Sequence, residues 1–399
     1  MPPPSIAELV GFPKASSDLE CRPMRIRYSE STIIEQGAYF RMTFPRVADD
    51  MLDCRSIKLS FKMNMIPTIA TDNPVVDGSD IRCIFNRIRV LSGSNVVLDV
   101  SEINLLNQFE SLVDVSSSDN KYDRYLSGRE VTAARLLYPD SRDYITSIAP
   151  KGSLLNCEAL LPLSKMSDLH VEFWLETPSR CLSLGILSPG EAKFNIQNVE
   201  LLCDYIRSPS LSQWNANNPL SFHVTDYSHR LNMINTSQSL CRFSSSHTSL
   251  NKIITILRSQ GRAAGFTFTD KFTQFVDGST IASYNVYVNN HLFYEQSVDS
   301  VQEAFTHFRK SFPALAHSEW FDTGFTGIKN LICVDLTAAP PTFQHAISSG
   351  QRTSNLNSDL VLKIEFVSNP AYAIRADSFL FSDALIYLEN NKGDLKIKF

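Results

Sequence analysis

The chain has 399 residues, 43% of them hydrophobic and 20% charged, with 37 Lys and Arg against 42 Asp and Glu for a net charge of −5. That balance excludes a disordered chain, and without a Lys/Arg-rich tail no part looks built to neutralise a nucleic-acid backbone directly. Single cores stop growing near ~250–300 residues, so the length implies two or three domains.

No run approaches the ~18–20 apolar residues of a membrane span. The opening MPPPSIAELVGFPKASS lacks the basic start and apolar centre of a secretory signal. Its prolines and serines read as an extended arm, residues 1–23. The eight cysteines, Cys21, Cys54, Cys83, Cys157, Cys181, Cys203, Cys241 and Cys333, include no C-x-x-C pair. Zinc is therefore not expected, and the cysteines read as buried free thiols of a reducing compartment. The single sequon, Asn235-Thr236-Ser237, is too common a pattern to imply secretion.

After the arm, Met24–Ile34 and Ala38–Pro45 read as strands joined at Glu35-Gln36-Gly37. Ile57–Met65 alternates Ile57, Leu59, Phe61, Met63 and Met65 against polar residues, a half-buried strand. Residues 66–80 form a loop rich in Pro, Thr, Asp and Gly. Cys83–Leu91 alternates Arg87 and Arg89 against Ile84, Ile88 and Val90. Ser92-Gly93-Ser94-Asn95 supplies the turn into Val96–Val100. Ser101 then caps a helix with Leu105, Leu106, Phe109, Leu112 and Val113 along one side.

Residues 114–150 are expected to be a long contact loop carrying Tyr122, Tyr125, Tyr138 and Tyr144. Ser153–Pro162, His170–Glu176 and Phe194–Arg207 resume as strands, the last with an interruption, and Ser208–Leu220 reads as a linker. Strands follow near Phe222–Met233 and Thr267–Phe275, with a mixed stretch at 247–259 between them.

At Ser283–Phe312 the earlier plan returns. Tyr284, Val286 and Val288 alternate, Asn289-Asn290 turn, and Leu292–Tyr294 leads out. Ser300 with Glu303 has capping-box spacing, and Val301, Ala304, Phe305, Phe308 and Phe312 form the helical stripe. The two serines stand 300 − 101 = 199 residues apart. Gly327–Thr337 echoes Ser153–Leu163, Asp359–Val367 echoes Asp168–Leu175, and Phe379–Leu388 echoes Phe194–Tyr205. Four correspondences in one order imply a duplicated all-β domain: two tandem eight-stranded sandwiches at 24–207 and 221–399, each with a short helix plugging it.

Catalytic, cofactor and metal residues are expected to be none. There is no G-x-S-x-G elbow, and His223 and His229 have a spacing that suits neither strand nor helix. Glu172, Glu176 and Glu365 are expected on solvated strand faces. An acid/base pair in a cleft between the sandwiches would be the enzyme alternative, a glycan- or amide-processing tandem jelly roll. A trimeric receptor-binding spike is a third class, but neither fibrous repeats nor a shaft is present.

The runs FNRIRVLSGSNVVLDVSEINLLNQF, YNVYVNNHLFYEQSVDSVQEAFTHF and SSGQRTSNLNSDLVLKIEF resemble the double jelly-roll major capsid proteins. That family serves icosahedral DNA viruses, membrane-containing tailless phages and Polinton- or adintovirus-like elements. The resemblance spans about Met24 to Leu388 and implies a helix between the sixth and seventh strands of each jelly roll. It also implies a homotrimer of pseudo-hexagonal outline in a virion capsid, assembled in the host cytoplasm or nucleus, with neighbouring capsomers, penton and minor capsid proteins as partners. The N-terminal arm is the candidate contact for a neighbouring capsomer, an internal membrane or a minor protein.

Overall fold

The computed structural model of the chain describes residues 19–66, 75–76, 81–113, 142–183, 193–208, 220–243, 247–259, 281–312, 331–337, 350–353, 360–371, 373–388 and 393–398. The strands of the first half are β1 (Glu20–Arg27), β2 (Ile33–Glu35), β3 (Tyr39–Thr43), β4 (Asp50–Asp53), β5 (Lys58–Ile66), β6 (Val75–Val76), β7 (Phe85–Ser92), β8 (Asn95–Ser101), β9 (Arg142–Ser147), β10 (Leu160–Leu161), β11 (Leu169–Leu175), β12 (Leu182–Ser183) and β13 (Lys193–Arg207). Those of the second are β14 (Ser221–Ile234), β15 (Gln238–Phe243), β16 (Leu250–Ser259), β17 (Ile281–Val288), β18 (His291–Leu292), β19 (Leu331–Asp335), β20 (Leu360–Phe366), β21 (Ile374–Leu388) and β22 (Leu395–Lys398).

Each half is a sandwich of two antiparallel sheets. In the first, β13 is central, with β1 and β2 on one side and β5 then β9 on the other; β4 pairs with the end of β13, and β10 with β4. Opposite lies the sheet β3-β11-β7-β8. The second half repeats the plan as β14-β21-β16-β19, with β22 on β21, opposite β15-β20-β17-β18. In both halves an eleven-residue helix, Ile103–Val113 and Val301–Ser311, connects the same two strands, β8 to β9 and β18 to β19. Their starts are 301 − 103 = 198 residues apart.

The local reasons are the expected ones. In β5, Leu59, Phe61 and Met63 are buried while Lys58, Ser60 and Lys62 face out. Asn289 and Asn290 take φ of 53° and 64°, the two positive values of a type I′ hairpin turn. The interruption of β13 is at Asn198, φ 51°, where its register with β5 shifts between Gln197 and Glu200. Ser300 Oγ accepts the Glu303 amide at 3.2 Å and opens the second helix.

Several elements differ from expectation. β1 begins at Glu20 and so takes in the last residues of the expected arm, while residues 1–18 lie outside the described residues. Ile81–Ile84 is a 3-10 turn, so β7 starts at Phe85. Ser101 is the last residue of β8 rather than a helix cap; its hydroxyl is engaged elsewhere, and Glu102 precedes the helix. Of Leu292–Tyr294 only Leu292 is in a strand, the two-residue β18; beyond it the Asn285 side chain takes the Tyr294 carbonyl (3.1 Å) and amide (3.4 Å).

The structural counterpart of Leu331–Asp335 is Arg142–Ser147, since each pairs with the equivalent neighbour, β16 or β5. Ser153–Leu163 was the wrong match: it holds a 3-10 turn and the short β10. Tyr144 lies in β9, packed 6.0 Å from Phe61, and not in a contact loop. Tyr122, Tyr125, Tyr138, Thr267–Phe275 and the interior of the 208–220 linker lie outside the described residues.

Candidate functional site: the junction between the two sandwiches

The two halves meet through different surfaces. The second presents the outer face of β14-β21-β16, and the first presents the corner where β8 turns into its helix. Tyr227, Ile254, Ile256, Phe379 and Phe381 point away from their own core and join the buried cluster of the first half. The helices also meet: Phe109, 1% exposed, lies edge-on to Phe312 at 5.0 Å and Phe308 at 6.0 Å. Each helix therefore packs across the junction as well as on its own sandwich. Val301 and Ala304 pack on the second core, whereas Phe305 is only half-buried.

At the centre of this apolar contact sits an ionic cluster. Glu102 holds φ 53°, a costly conformation for a residue with a Cβ. It reaches Arg180 at 2.6 Å within its own half, and Arg375 at 2.8 Å and Arg258 at 3.4 Å in the other. Asp377, fully buried, accepts from Arg258, from Arg375 at 3.0 Å and from His229 Nε2 at 2.9 Å. His229 Nδ1 closes the circuit on Ser101 Oγ at 3.0 Å. Arg180 also lies 3.3 Å from Glu176, whose carboxylate accepts from Asn86 and Asn104. Three guanidiniums thus face three carboxylates.

Burial alone would raise the Glu102 carboxyl, but Arg180, Arg258 and Arg375 outweigh it and hold the group below its usual range. The same opposition, with His229, Arg258 and Arg375 prevailing over burial, holds Asp377 well below the ordinary carboxylate range. The cluster adds little net energy over an apolar core, yet breaking it strands a buried charge, and intact it ties Glu102 of one half to Arg258 and Arg375 of the other.

Backbone contacts finish the junction. Thr225 N–H donates to the Gly152 carbonyl at 2.8 Å, and Tyr227 Oη donates to the Lys151 carbonyl. From the far end of the chain, Leu395 N–H donates to Ser92 Oγ at 2.9 Å and Ser167 N–H to the Gly393 carbonyl at 2.8 Å. Gly93, φ 58°, lies so close to Asp394 that a Cβ there would strike its carboxylate.

The residues singled out from sequence fall apart as a site. His223 is exposed, while His229 belongs to the cluster. Glu172 and Glu176 are 3% exposed, contrary to a solvated face, because Tyr39 and Arg89 bond Glu172 (both 2.6 Å) and Asn86, Asn104 and Arg180 surround Glu176. Glu365 remains on a half-exposed face, 2.7 Å from Lys363. All eight cysteines are unpaired and seven are buried; burial pushes the Cys203, Cys241 and Cys333 thiols up to about 12, which keeps them protonated. Among the described residues no group of three or more His, Cys, Asp or Glu could hold a metal ion, and no helix is long and apolar enough to cross a membrane.

Sequence reasoning missed Glu102, Arg180, Arg258, Arg375 and Asp377. The available signal was the pair Arg375 and Asp377 in β21, just before the apolar Phe379-Leu380-Phe381, since buried charges demand partners.

No family model matches the sequence, and no curated protein matches it. Solved structures do. The chain is similar to VP54 of PBCV-1, as fitted into a reconstruction of the virophage Sputnik, with TM-score 0.64 at 10% identity over 95% of this chain and 97% of that one. The fold is a double jelly roll. The Faustovirus major capsid protein matches with TM-score 0.60 at 8% identity, covering 93% of this chain and 91% of its own. The mavirus major capsid protein matches with TM-score 0.53 at 10% identity, covering 94% and 90%.

Proposed function

We propose that the chain is a major capsid protein: a structural subunit, without a catalytic role, whose copies associate as homotrimers and tile an icosahedral viral shell. In this reading the jelly rolls divide at residues 208–220. The supporting observation is that the likeness to the Faustovirus and mavirus major capsid proteins runs through both jelly rolls, over 93% and 94% of this chain. The physical logic agrees. A subunit carrying two similar upright domains lets three copies occupy a six-fold lattice position, and sandwiches with few free strand edges pack side by side without templating aggregation.

The virion capsid is then the protein's location, and penton and minor shell proteins are its further partners. The segment before β1 is the candidate contact with an internal membrane. The test is mass and shape: purified protein measured by light scattering should give three times 44.8 kDa, and negative-stain images should show pseudo-hexagonal particles. A strictly monomeric protein that hydrolyses members of a glycopeptide panel would overturn the reading.

A further inference from the structure

Strand β14 has two faces in different company. Tyr227 and His229 point to the junction, so Asp226, Ser228, Arg230 and Asn232 point the other way, into the second sandwich. The pairing agrees: Ser228 lies opposite Leu380 and Asn232 opposite Ala376, both members of the second core. Three consecutive inward positions, 228, 230 and 232, are therefore polar where a sandwich interior calls for apolar side chains. Each carries a buried donor with no hydrogen-bond partner: Ser228 Oγ, Arg230 Nε and Asn232 Nδ2. Unpaired buried donors are costly, a charged one most of all.

Arg230 is the decisive member. Among the described residues its guanidinium has one hydrogen bond, from Nη1 to the His229 carbonyl at 3.0 Å, and no carboxylate within ion-pair distance. Asp226 is not its counter-ion. Four residues along the strand place it ~13 Å away at the backbone, and burial pushes its carboxyl up to about 6 against the pull of Arg230. His247, which burial and Arg230 hold down at about 4, is neutral at neutral pH. The Ser378 hydroxyl, on the residue opposite Arg230, is engaged with Thr255 at 2.8 Å. The donors call for an acceptor, and the guanidinium calls for an anion. Among the described residues β14 is the outermost strand of its sheet, and Arg230 and Asn232 are half-buried, so an ion reaches them from the sandwich edge.

We propose that Arg230 and Asn232 bind a small oxyanion of the phosphate or sulfate class at the inner edge of the second jelly roll, with Arg230 Nε and the Asn232 amide donating to it. Asp226 sets the side: its charge disfavours an anion toward Ser228, and Asn232 lies away from it. The anion neutralises the guanidinium and steadies β14, whose other face carries His229 and Tyr227 into the junction. The site stands independently of the shell reading.

Isothermal titration of the full-length protein with inorganic phosphate, at constant ionic strength and about pH 7.5, tests it. Wild type is expected to bind one phosphate per chain saturably. Arg230→Gln and Asn232→Leu should each weaken binding by ~10-fold or more, whereas Ser228→Ala should stay within ~3-fold of wild type. Melting curves separate binding from folding. Without phosphate, Arg230→Gln removes an uncompensated charge and should melt no lower than wild type; in saturating phosphate wild type should melt higher. Selenate soaked into crystals should give an anomalous peak between Arg230 and Asn232. No saturable binding by wild type, undiminished binding by Arg230→Gln, or selenate peaks only elsewhere would overturn the site.

Discussion

The same strand order builds two faces with opposite fates. On the covered face, rows running from β14 across β21 and β16 to β19 read His229, Phe379, Ile254, Cys333 and Tyr227, Phe381, Lys252, Asp335. On the bare face, rows from β1 across β13 and β5 to β9 read Arg27, Glu200, Ser60, Ile145 and Arg25, Leu202, Lys58, Ser147. Backbone and pairing are alike, so the difference is one of side chains alone. The permanent contact is aromatic with a buried ionic cluster, as in a core cut in half, whereas the face that meets water in the isolated chain is charged. An aromatic face left bare would be an aggregation hazard before assembly.

The largest effects are expected at the covered face. Asp377→Ala strands Arg258 and Arg375 and should cost about 3–5 kcal/mol in chemical denaturation. Phe379→Ala should cost a similar ~3–5 kcal/mol through the cavity it leaves. Glu200→Ala, at the centre of the bare face, should cost under about 1 kcal/mol, because its pairs with Arg25 and Arg27 are solvent-screened. Equal losses at Asp377 and Glu200 would break the comparison.

Next comes Asp226, buried on the opposite side of β14. Burial raises its carboxyl from 3.8 to about 6, so the folded state holds its proton more tightly than the unfolded chain does. That contribution is present below about pH 4 and is lost as pH rises through 6. Asp226→Asn should therefore stabilise the protein at pH 8 by on the order of 2–3 kcal/mol and leave stability at pH 4 nearly unchanged.

The acid limb should run the other way. Glu102 and Asp377 are both held below their ordinary values, so their contribution is complete above about pH 5 and is lost as pH falls through and below the carboxylate range. Denaturation midpoints measured from pH 5 to pH 2 should fall more steeply for wild type than for Asp377→Asn. The smallest effect is Tyr227→Phe, which removes the hydroxyl donated to Lys151 and should cost about 1 kcal/mol by thermal melting.

Much of the architecture was legible because it is periodic. The alternation of β5, the Asn289-Asn290 turn, the Ser300 cap and the paired helices all follow from local rules that the fold obeys. What resisted was non-local. Ser101 has every attribute of a cap, yet its hydroxyl serves His229, 128 residues away. Glu172 and Glu176 carry charges that usually seek water, and only tertiary partners make their burial tolerable. Phe308 and Phe312 were rightly read as apolar stripe residues, but periodicity does not tell which core a stripe faces, and theirs lies across the junction. Of the junction cluster only the Arg375 and Asp377 pair in β21 left a local trace; its members lie up to 273 residues apart, so their partners are not readable from sequence.

The clasp of Leu395 onto the β7-β8 turn has a consequence in time. The Leu395–Ser92 bond spans 303 residues, so the ribosome delivers one partner long after the other. The first jelly roll can condense while the second is still being made, but its turn at Ser92-Gly93 waits for the strand that follows β21. Until that strand arrives, the halves are joined through the aromatic face and the ionic cluster but lack this tie. A chain interrupted shortly before residue 393 would lack the buried Leu395 and its bond to Ser92, and with them part of the hold between the halves.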